Sequence, residues 1–553
     1  MKEQQVVKTK RLTILILSLC IFGALMPAHA EGFKIRGIKG LWWEGIEKYN
    51  LALPWLARHN LNFLMLCYTS FPASGTDWRA DYTNAEKAQI KELAQRGKAL
   101  GVEICLSFNP GIWSNPPLVY SSDQDCKLAF QKVRTVHELG VRWFALCLDD
   151  INRALQPEDQ SRFGNLAAAQ VYFVNRLWEE MKALKPRPRL IFCPSAYTTA
   201  DMREHLEYTK TIGNGISREV MMFWTGPQVC SPSITASDAR LVAQWLKRKP
   251  FVWDNYPVND MFAWRPLLSP LKNRSSDLKD AVCGYIANPM KQWHLSTIPL
   301  TSTASYLTNP EKYDAERAKQ QIIESYPRDQ QRAIRLLLHL YGDSFWGEPG
   351  FPPKPEYVSR DQAQKDLHIY RALRTELMRN AGLSDLWLDI RDALESDITF
   401  LEKIAVDRRA TSPLKASGID FEGGAASVFG WLKYDKLVNY VYAKSTGRNE
   451  MHTSFYLSEQ CPKAILRLTA RNDDWQTNGT IEIMLDDYQV YAGPANFPSN
   501  AFETKEFTLP GSILKVGENL LRIRMTEQQG ALGMPPWFMV SDVELIPLSP
   551  QTN

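Results

Sequence analysis

The chain has 553 residues, enough for two to four domains, and its 44% hydrophobic content excludes an intrinsically disordered protein. Its 65 basic and 61 acidic residues leave a net charge of only +4, and no basic tract indicates a nucleic-acid-binding surface. No Cys-x-x-Cys pair and no His/Cys cluster has the spacing of a metal site. The sequence therefore implies neither a metal nor an organic cofactor.

The N-terminus has the pattern of a secretory signal peptide. Basic residues within 2–11 precede an apolar run at 12–26, and Ala28-His29-Ala30 has the small-x-small pattern of a cleavage site. The apolar run is too short for a comfortable transmembrane span. We therefore predict removal of residues 1–30, export to the periplasm or the medium, and no membrane span in the mature chain. Because the leader holds four basic residues and one acidic residue, about +1 of the full +4 charge remains after cleavage.

Residues 35–288 contain eight short apolar runs, most of them separated by stretches with helical periodicity. Strands that are apolar on both faces belong in a buried parallel sheet, and the eightfold alternation of strand and helix predicts an α/β fold, a (β/α)₈ TIM barrel. In such a barrel the residues that follow each strand line the active site. The eight predicted strands are Ile35–Leu41, Asn62–Cys67, Val102–Phe108, Arg142–Leu148, Arg189–Ser195, Glu219–Trp224, Pro250–Asp254 and Cys283–Ala287.

Helix-start signals support this alternation. Thr83 with Glu86, and Thr235 with Asp238, are typical of helix N-termini, whereas the helix expected between the seventh and eighth strands is poorly defined around residues 269–281. Several cysteines lie in predicted strands, where cysteines usually act as buried small hydrophobes. We predict mostly free thiols, and export leaves one or two disulfides open as the alternative.

The periodicity changes after about residue 308. Residues 311–341 and 359–408 predict helices, and from about residue 413 a period of two predicts an antiparallel β-sandwich of jelly-roll type. The predicted units are a signal peptide (1–30), a barrel (31–308), a helical domain (309–412) and a carbohydrate-binding-like sandwich (413–553). Two alternatives remain for the sandwich: a structural cap with buried tryptophans, or a sugar-binding module that uses its loop residues Asp473, Asp474, Trp475 and Trp537.

The residues at the eight strand ends combine aromatic rings, amides and carboxylates. Amides and carboxylates bind vicinal hydroxyls through paired hydrogen bonds, and aromatic rings can cover the apolar face of a pyranose. The set contains no Lys, no His and no glycine-rich phosphate cradle, so it favours a neutral sugar over a phosphate or a cofactor. In chain order it comprises Gly40 with Trp42 and Trp43, Tyr68, Asn109, Asp149, Asp150, Tyr197, Trp224-Thr225, Asn255, Asp260 and Asn288.

Asp149 and Asp150, at the end of the fourth predicted strand, are the main candidates for catalysis. Their Cα atoms lie about 3.8 Å apart, and two carboxylates this close resist ionising together, so one pKa should rise. A carboxyl that keeps its proton can protonate a leaving oxygen while its ionised neighbour stabilises positive charge. The alternative is that the Asp149–Asp150 pair forms a helix N-cap and a solvated charge. Tyr197 and Trp253, each considered alone, are typical of packed aromatic residues.

Five segments resemble, in the same order, those of glycoside hydrolase family 84, the β-N-acetylglucosaminidase and O-GlcNAcase family. They are VRWFALCLDDI (Val141–Ile151), FCPSAY (Phe192–Tyr197), FWTGPQV (Phe223–Val229), VWDNYPVND (Val252–Asp260) and CGYIANPM (Cys283–Met290), within a resemblance that covers about residues 33–315. The resemblance implies a retaining exo-β-N-acetylglucosaminidase that acts on terminal GlcNAc of glycans or glycoconjugates. In the implied substrate-assisted mechanism the 2-acetamido oxygen attacks C1, and water then opens the resulting oxazoline, unlike the usual pair of carboxylates on opposite sides of the bond.

The resemblance also implies roles for the residues around the sugar's acetamido group. Asp149 orients the acetamido N–H and stabilises the oxazolinium charge, and Asp150 is the general acid for the leaving group and then the general base for water. Tyr197 donates a hydrogen bond near the acetamido oxygen. Trp253 lines the pocket around the acetamido methyl, and Asn255 helps to hold the acetamido group and its neighbouring Asp.

The remaining implied contacts are to the sugar hydroxyls. Asp260 binds the 4- and 6-hydroxyls, Asn288 binds the 3- or 4-hydroxyl, and the carbonyl of Gly40 contacts a further hydroxyl. Together with the acetamido side, these residues complete the implied partner of the protein, a carbohydrate that ends in an N-acetylhexosamine.

Two segments depart from the family pattern. The family has Gly-Phe-Tyr-Gly after the first strand, where this chain has Gly40-Leu41-Trp42-Trp43. The family has a sugar-contacting Lys in Ala-Pro-Lys-Asp-Asp after the second strand, whereas residues 67–72 of this chain contain no Lys. These changes leave two alternatives open: a glycan-binding barrel protein with little or no turnover, and a barrel hydrolase for another hexosamine such as GalNAc.

Overall fold

The computed structural model describes residues 32–40, 46–112, 114–260, 265–342, 360–405, 414–429, 436–473, 477–532 and 534–549. The predicted signal peptide lies outside these ranges, as do Trp42 and Trp43. Within these ranges, no helix combines the length and the apolar character needed to cross a bilayer.

Eight parallel strands close into a barrel in which each strand pairs with its neighbours in chain order and β8 pairs with β1. This arrangement confirms the predicted (β/α)₈ fold, and every strand overlaps one of the eight predicted runs. The strands are β1 (Arg36–Lys39), β2 (Phe63–Leu66), β3 (Glu103–Phe108), β4 (Trp143–Cys147), β5 (Arg189–Cys193), β6 (Met221–Trp224), β7 (Phe251–Pro257) and β8 (Gly284–Asn288).

Strand β7 is longer than predicted. It continues past Asp254 to Pro257, and its register shifts between these two residues so that Pro257 pairs with Asn288. Asn255 therefore lies within β7, next to the end of β8, rather than in the loop that follows. A register irregularity of this kind changes the direction in which side chains point. It does not alter the hydrophobic periodicity, so it could not be predicted from the sequence.

Helices cover the outside of the barrel. The predicted capping pairs form: Thr83 and Glu86 begin α2 with a capping box, Thr235 and Asp238 begin α8 in the same way, and Gly101 ends α2 in the left-handed conformation. Between β7 and β8 the helix is a single turn, in keeping with the weak pattern there. The helices are α1 (Ile46–Arg58), α2 (Asn84–Leu100), α3 (Asp123–Glu138), α4 (Pro157–Phe163), α5 (Leu166–Met181), α6 (Thr199–Glu204), α7 (Leu206–Gly215), α8 (Ala236–Leu246), α9 (Leu278–Ala281) and α10 (Trp293–Thr308).

The barrel interior is a closely packed apolar core, separate from the core between strands and helices. The Phe63 ring meets Trp143 edge-on, with centroids 5.1 Å apart, and lies 5.9 Å from the Phe251 ring. Three cysteines share this interior: Cys105, Cys147 and Cys193. The eight cysteines of the described chain are all free, as predicted.

A layer of four helices follows the barrel, where two long helices were predicted over residues 311–341 and 359–408. The first predicted helix is divided before α12 by a turn that contains Pro327, which lacks the N–H needed to continue a helix. The second is divided at Asn380, whose side chain accepts the N–H of Gly382 and turns the chain. The four helices are α11 (Ala315–Glu324), α12 (Gln331–Tyr341), α13 (Arg360–Arg379) and α14 (Ser384–Ala405).

Helix α14 joins this layer to the barrel. The Asp389 carboxylate accepts hydrogen bonds from the backbone N–H groups of His294 and Leu295, at 2.7 and 3.1 Å, in the first turn of α10. These are N-terminal donors that a helix cannot satisfy internally. Arg265, from the segment after β7, forms a buried ion pair with Asp397 at 2.8 Å. The layer is thereby fixed to the side of the barrel that β7 and β8 form.

The C-terminal region is an antiparallel sandwich of two sheets, as predicted. One sheet has the strand order β10-β13-β18-β15-β16, and the other has the order β11-β12-β19-β14-β17 with β9 paired to β19. Strands β9–β12 were not singled out in the sequence. The strands are β9 (Lys415–Ser417), β10 (Glu422–Gly423), β11 (Ala425–Phe429), β12 (Lys436–Tyr442), β13 (Glu450–Leu457), β14 (Lys463–Asn472), β15 (Thr480–Leu485), β16 (Tyr488–Pro494), β17 (Glu503–Pro510), β18 (Gly517–Met525) and β19 (Trp537–Leu548).

Two of the four candidate sugar-binding residues of the sandwich are buried. Asp473 is fully buried and accepts hydrogen bonds from the backbone N–H and the hydroxyl of Thr477. Trp537 packs edge-on against Tyr440, with ring centroids 5.4 Å apart. For these two residues the contacts favour the structural cap, whereas Asp474 and Trp475 lie outside the described residues.

Candidate active site

The turn after β4 separates the two catalytic candidates into different environments. Asp150 adopts a left-handed backbone conformation with φ of 53°, which Asp tolerates better than most residues. Asp149 is only 6% exposed, whereas Asp150 is exposed. The pair therefore presents one carboxylate inside the barrel mouth and one on its rim.

The buried carboxylate of Asp149 has few partners. The Tyr68 hydroxyl donates a long hydrogen bond of 3.4 Å to Oδ2, and Oδ1 is buried without a hydrogen-bond partner among the described residues. Burial and then the charge of Asp150 raise the pKa of Asp149 to about 7, against the opposing charge of Lys39 and the bond from Tyr68. The residue of the pair with the raised pKa is thus Asp149, whereas the resemblance implies that Asp150 is the general acid.

The exposed carboxylate of Asp150 is held by the loop after β5. The Tyr197 hydroxyl donates a hydrogen bond of 2.8 Å to Asp150 Oδ1, and burial together with this carboxylate raises the pKa of Tyr197. The backbone between the two acids is held by Asn109 after β3, whose Nδ2 donates to the Asp149 carbonyl at 3.2 Å. The Asn109 side-chain oxygen accepts the N–H groups of Gly111 and Ile112.

A second cluster forms where β7 and β8 end. Asn255 Oδ1 accepts hydrogen bonds from Trp253 Nε1 at 3.0 Å and from Asn288 Nδ2 at 2.9 Å, and its Nδ2 donates to the Val229 carbonyl at 2.8 Å. Asn288 is 3% exposed, and its Oδ1 is a second buried acceptor without a partner in the described chain. These contacts fix the Trp253 ring and leave an amide oxygen available to a ligand.

Asp260 is half-buried three residues beyond β7, and its charge acts on Cys230, the neighbour of Val229. It therefore belongs to the same side of the barrel mouth as Asn255. Residues 261–264, which follow it, lie outside the described chain.

Gly40 requires the absence of a side chain. A Cβ at this position would lie 2.1 Å from the hydroxyl of Tyr49. That hydroxyl bonds to Ser70 Oγ at 2.5 Å and accepts the N–H of Cys67 at 3.1 Å. Tyr49 therefore lies against Gly40 at the end of β1 and holds the start of the loop after β2 by hydrogen bonds.

Two residues at the strand ends are structural. Trp224 is fully buried, and its Nε1 donates to the Thr199 hydroxyl at 3.0 Å. The Thr225 hydroxyl donates to the Gln228 carbonyl at 2.9 Å within a turn. Both side chains serve to shape the loop after β6.

Two features of the site were not predicted from the sequence. Lys39 was counted as part of the first strand, yet its side chain is buried with Nζ 4.4 Å from the centroid of the Trp253 ring. Asp254, between the two candidates on β7, forms a buried bidentate ion pair with Arg274 at 2.7 and 2.9 Å. A charged residue inside an otherwise apolar strand was the available signal in both cases.

Nothing in the described part of the chain gathers three or more His, Cys, Asp or Glu side chains into a metal-binding group. The described residues of the site offer carboxylates, amides, phenols and one lysine. This set suits a neutral ligand with several hydrogen-bond donors and acceptors.

The family model for β-N-acetylglucosaminidase (NAGidase) matches residues 34–339, more than half of the chain. Two relatives, Protein O-GlcNAcase of Mus musculus and of Rattus norvegicus, are each 25% identical over 268 residues, or 48% of this chain. The match spans only 28% of the length of either relative.

Solved structures agree with this match. A mutant of the O-GlcNAc hydrolase of Thermobaculum terrenum is 26% identical with a TM-score of 0.58, covering 67% of this chain and 83% of that one. CpGH84B is 22% identical with a TM-score of 0.57 over 68% of each chain, a likeness that shows the fold alone. From the family match across the whole barrel, the chain belongs to the β-N-acetylglucosaminidase family of glycoside hydrolases, glycoside hydrolase family 84.

Proposed function

We propose that the protein is a retaining exo-β-N-acetylglucosaminidase that removes terminal GlcNAc from glycans or glycoconjugates by substrate-assisted catalysis. The proposal is carried by Asp149 Oδ1, a buried acceptor with no hydrogen-bond partner among the described residues, one residue before Asp150. A buried polar atom left unsatisfied costs about 1–3 kcal/mol, so this atom favours a ligand that brings an N–H donor. The 2-acetamido group of GlcNAc supplies such a donor.

In the first step the acetamido N–H donates to Asp149, and the acetamido oxygen attacks C1 while Asp150 transfers its proton to the glycosidic oxygen. The bond between C1 and that oxygen breaks, and its electron pair leaves with the aglycone. The Asp149 carboxylate balances the charge of the oxazolinium. In the second step Asp150 takes a proton from water, whose oxygen attacks C1 and reopens the ring. Two displacements at C1 retain its configuration.

The pair needs a single proton, and its position must change when the sugar binds. In the free enzyme the raised pKa of Asp149, about 7, places this proton mainly on Asp149. An acetamido N–H that donates to Asp149 stabilises its ionised form. The proton is then available to Asp150, the exposed acid beside the departing group.

The pH dependence follows from this proton. We expect kcat/KM to fall as the pH rises through about 7, because the pair then loses its only proton and Asp150 has none to donate. The measurement is kcat/KM between pH 5 and 9 for an aryl β-GlcNAc whose phenol is a poor leaving group, because such a substrate needs the proton from Asp150. A profile that stays flat across the alkaline half of this range would contradict the assignment.

A substrate panel tests the activity itself. We expect purified protein to release the phenol from aryl β-GlcNAc, and to do so more slowly as fluorine atoms are added to the acetyl group, because fluorine weakens the attacking oxygen. Faster release from aryl β-GalNAc would identify a hydrolase for a different hexosamine. Binding of a GlcNAc-thiazoline without release of any aryl glycoside would identify a glycan-binding protein and overturn the proposal.

Asp150→Asn tests the general acid. Asn also tolerates the left-handed backbone at this position, so the substitution removes the acid without adding backbone strain. For substrates with poor leaving groups we expect kcat/KM to fall about 10²- to 10⁴-fold, and far less for activated aryl glycosides, which leave without a proton. The measurement is a series of aryl β-GlcNAc substrates of increasing phenol pKa. An equal loss for every leaving group would exclude this role.

We also propose, from the leader pattern at residues 1–30, that the mature protein acts outside the cytoplasm. Mass spectrometry of the protein from the native cell envelope or medium should give an N-terminus at Glu31. A mature protein that retains the leader would contradict this proposal.

A further inference from the structure

Lys39 is a buried lysine at the C-terminal end of β1, next to the catalytic pair. Its side chain is 2% exposed, and Nζ lies 4.4 Å from the ring centroid of Trp253 and 5.9 Å from that of Tyr68. The Tyr68 hydroxyl in turn donates to Asp149 Oδ2. Because removal of an ammonium group from water is costly, lysines are rarely buried this fully without a compensating charge nearby.

The phenols and thiols that act on Asp149 are neutral. Burial raises the pKa of the phenols and of the thiols, so none of them ionises near neutral pH. Among the largest influences on Asp149, Lys39 supplies the positive charge and Asp150 the negative charge. The facing groups come from β1, the loop after β2, β4, β5 and the loop after β5, and they are Lys39, Tyr68, Cys147, Asp150, Cys193 and Tyr197.

We propose that Lys39 is a positioning residue whose charge holds Asp149 as the carboxylate while the sugar is bound, so that the proton of the pair resides on Asp150. This inference rests on the proposed function. An opposite charge in a buried site favours the ionised form of its neighbour, and the effect is large because little water screens it. The charge of Asp150 has the reverse effect and would otherwise keep the proton on Asp149. Lys39 thereby decides which of the two acids can protonate the leaving group.

A purely structural role would be different. In that case Lys39 would serve only to fill the space over Trp253, and an apolar side chain of similar length would replace it without altering proton transfer. Lys39→Met makes this replacement, and Lys39→Arg keeps the charge. Lys132→Met is a matched control, since Lys132 is 7% exposed and lies 4.8 Å from the Tyr82 ring, on helix α3.

The experiment uses one aryl β-GlcNAc with a poor leaving group, which needs the proton of the pair. For the full-length protein and these variants it measures kcat and the alkaline limb of the pH profile, which is the pH range over which kcat/KM falls. For Lys39→Met we expect kcat to fall about 10- to 100-fold and the alkaline limb to move up by about one pH unit, because the pair holds its proton more tightly without the cation. Lys39→Arg should keep the limb near its wild-type position, and Lys132→Met should not move it.

The position of the limb does not depend on the fraction of protein that folds, so a poorly folding variant still reports on the proposal. If Lys39→Met yields no active fraction, Lys39→Gln replaces it in the same measurement. A Lys39→Met limb that coincides with the wild-type limb overturns the positioning role. Failure of the wild-type protein to release the phenol overturns the proposed function instead, so the two failures are distinct.

Discussion

Asp149→Asn should lower kcat/KM about 10³-fold on activated and unactivated aryl β-GlcNAc alike. The amide can no longer balance the positive charge of the oxazolinium, which forms whichever group leaves. Steady-state kinetics on the same leaving-group series used for Asp150→Asn measure this effect. The two variants should therefore differ in pattern: loss at Asp150 depends on the leaving group, and loss at Asp149 does not.

The same substitution should stabilise the folded protein. Folding raises the pKa of Asp149 from 3.8 to about 7, even with Lys39 nearby, so the folded state binds this proton more tightly than the unfolded chain does. The favourable contribution of Asp149 to the free energy of unfolding is fully present below pH 3.8 and is lost as the pH rises through about 7. At pH 8 a neutral Asn removes an energetic cost on the order of a few kcal/mol, so the Tm should rise.

Asp397→Asn is the control for this stability effect. Burial also raises the pKa of Asp397, to about 6, but its carboxylate accepts direct hydrogen bonds from Arg265 at 2.8 Å and from Tyr341 at 2.7 Å, which Asp149 lacks. Asn at this position breaks the contact with the buried guanidinium and should lower the Tm. Activity of Asp149→Asn within ten-fold of the wild type, or a Tm below that of the wild type at pH 8, would contradict the role given to Asp149.

Asp254→Ala should destabilise the barrel by about 3–5 kcal/mol, because it leaves Arg274 charged and buried without its partner. Both side chains are 1% exposed, and the Tyr285 hydroxyl also donates to the Asp254 carboxylate. The measurement is urea unfolding followed by a barrel-sensitive signal such as tryptophan fluorescence. KM for aryl β-GlcNAc should also rise, since Asp254 lies between Trp253 and Asn255 on β7.

The double variant Asp254→Leu with Arg274→Met separates the energy of the ion pair from that of packing. An apolar pair of similar size is often neutral or stabilising where a single substitution is not, so we expect the double variant to recover most of the lost stability. An Asp254→Ala protein that unfolds at the wild-type urea concentration would show that the buried pair contributes nothing to the fold.

The barrel could be predicted because its strands are buried on both faces and therefore stand out as apolar runs. Asp149 and Asp150 could be found because they come directly after such a run. Their separate environments could not be predicted, since they depend on the left-handed backbone at Asp150. The role of Lys39 could not be predicted for a related reason. It is the last residue of β1, and its position over the Trp253 ring depends on how β1 and β7 are arranged in the barrel.

Partners distant in sequence explain the remaining differences. The extension of β7 depends on the pairing of Pro257 with Asn288, and the ion pair of Asp254 depends on a loop twenty residues away. In the helical layer, the breaks at Pro327 and Asn380 were visible as residues but were outweighed by the long amphipathic periodicity on both sides. Contacts between residues distant in sequence therefore account for the differences in β7, and local residues account for those in the helical layer.

The attachment of α14 to the barrel affects how a smaller catalytic fragment should be designed. The family match ends at residue 339, but Asp389 and Asp397 lie beyond it and supply partners to the start of α10 and to Arg265. A fragment cut at the end of the match would lack the Asp389 acceptor for the first N–H groups of α10 and the Asp397 carboxylate that pairs with Arg265. The smallest soluble hydrolase unit to express should therefore run through residue 405, with the sandwich as the removable part.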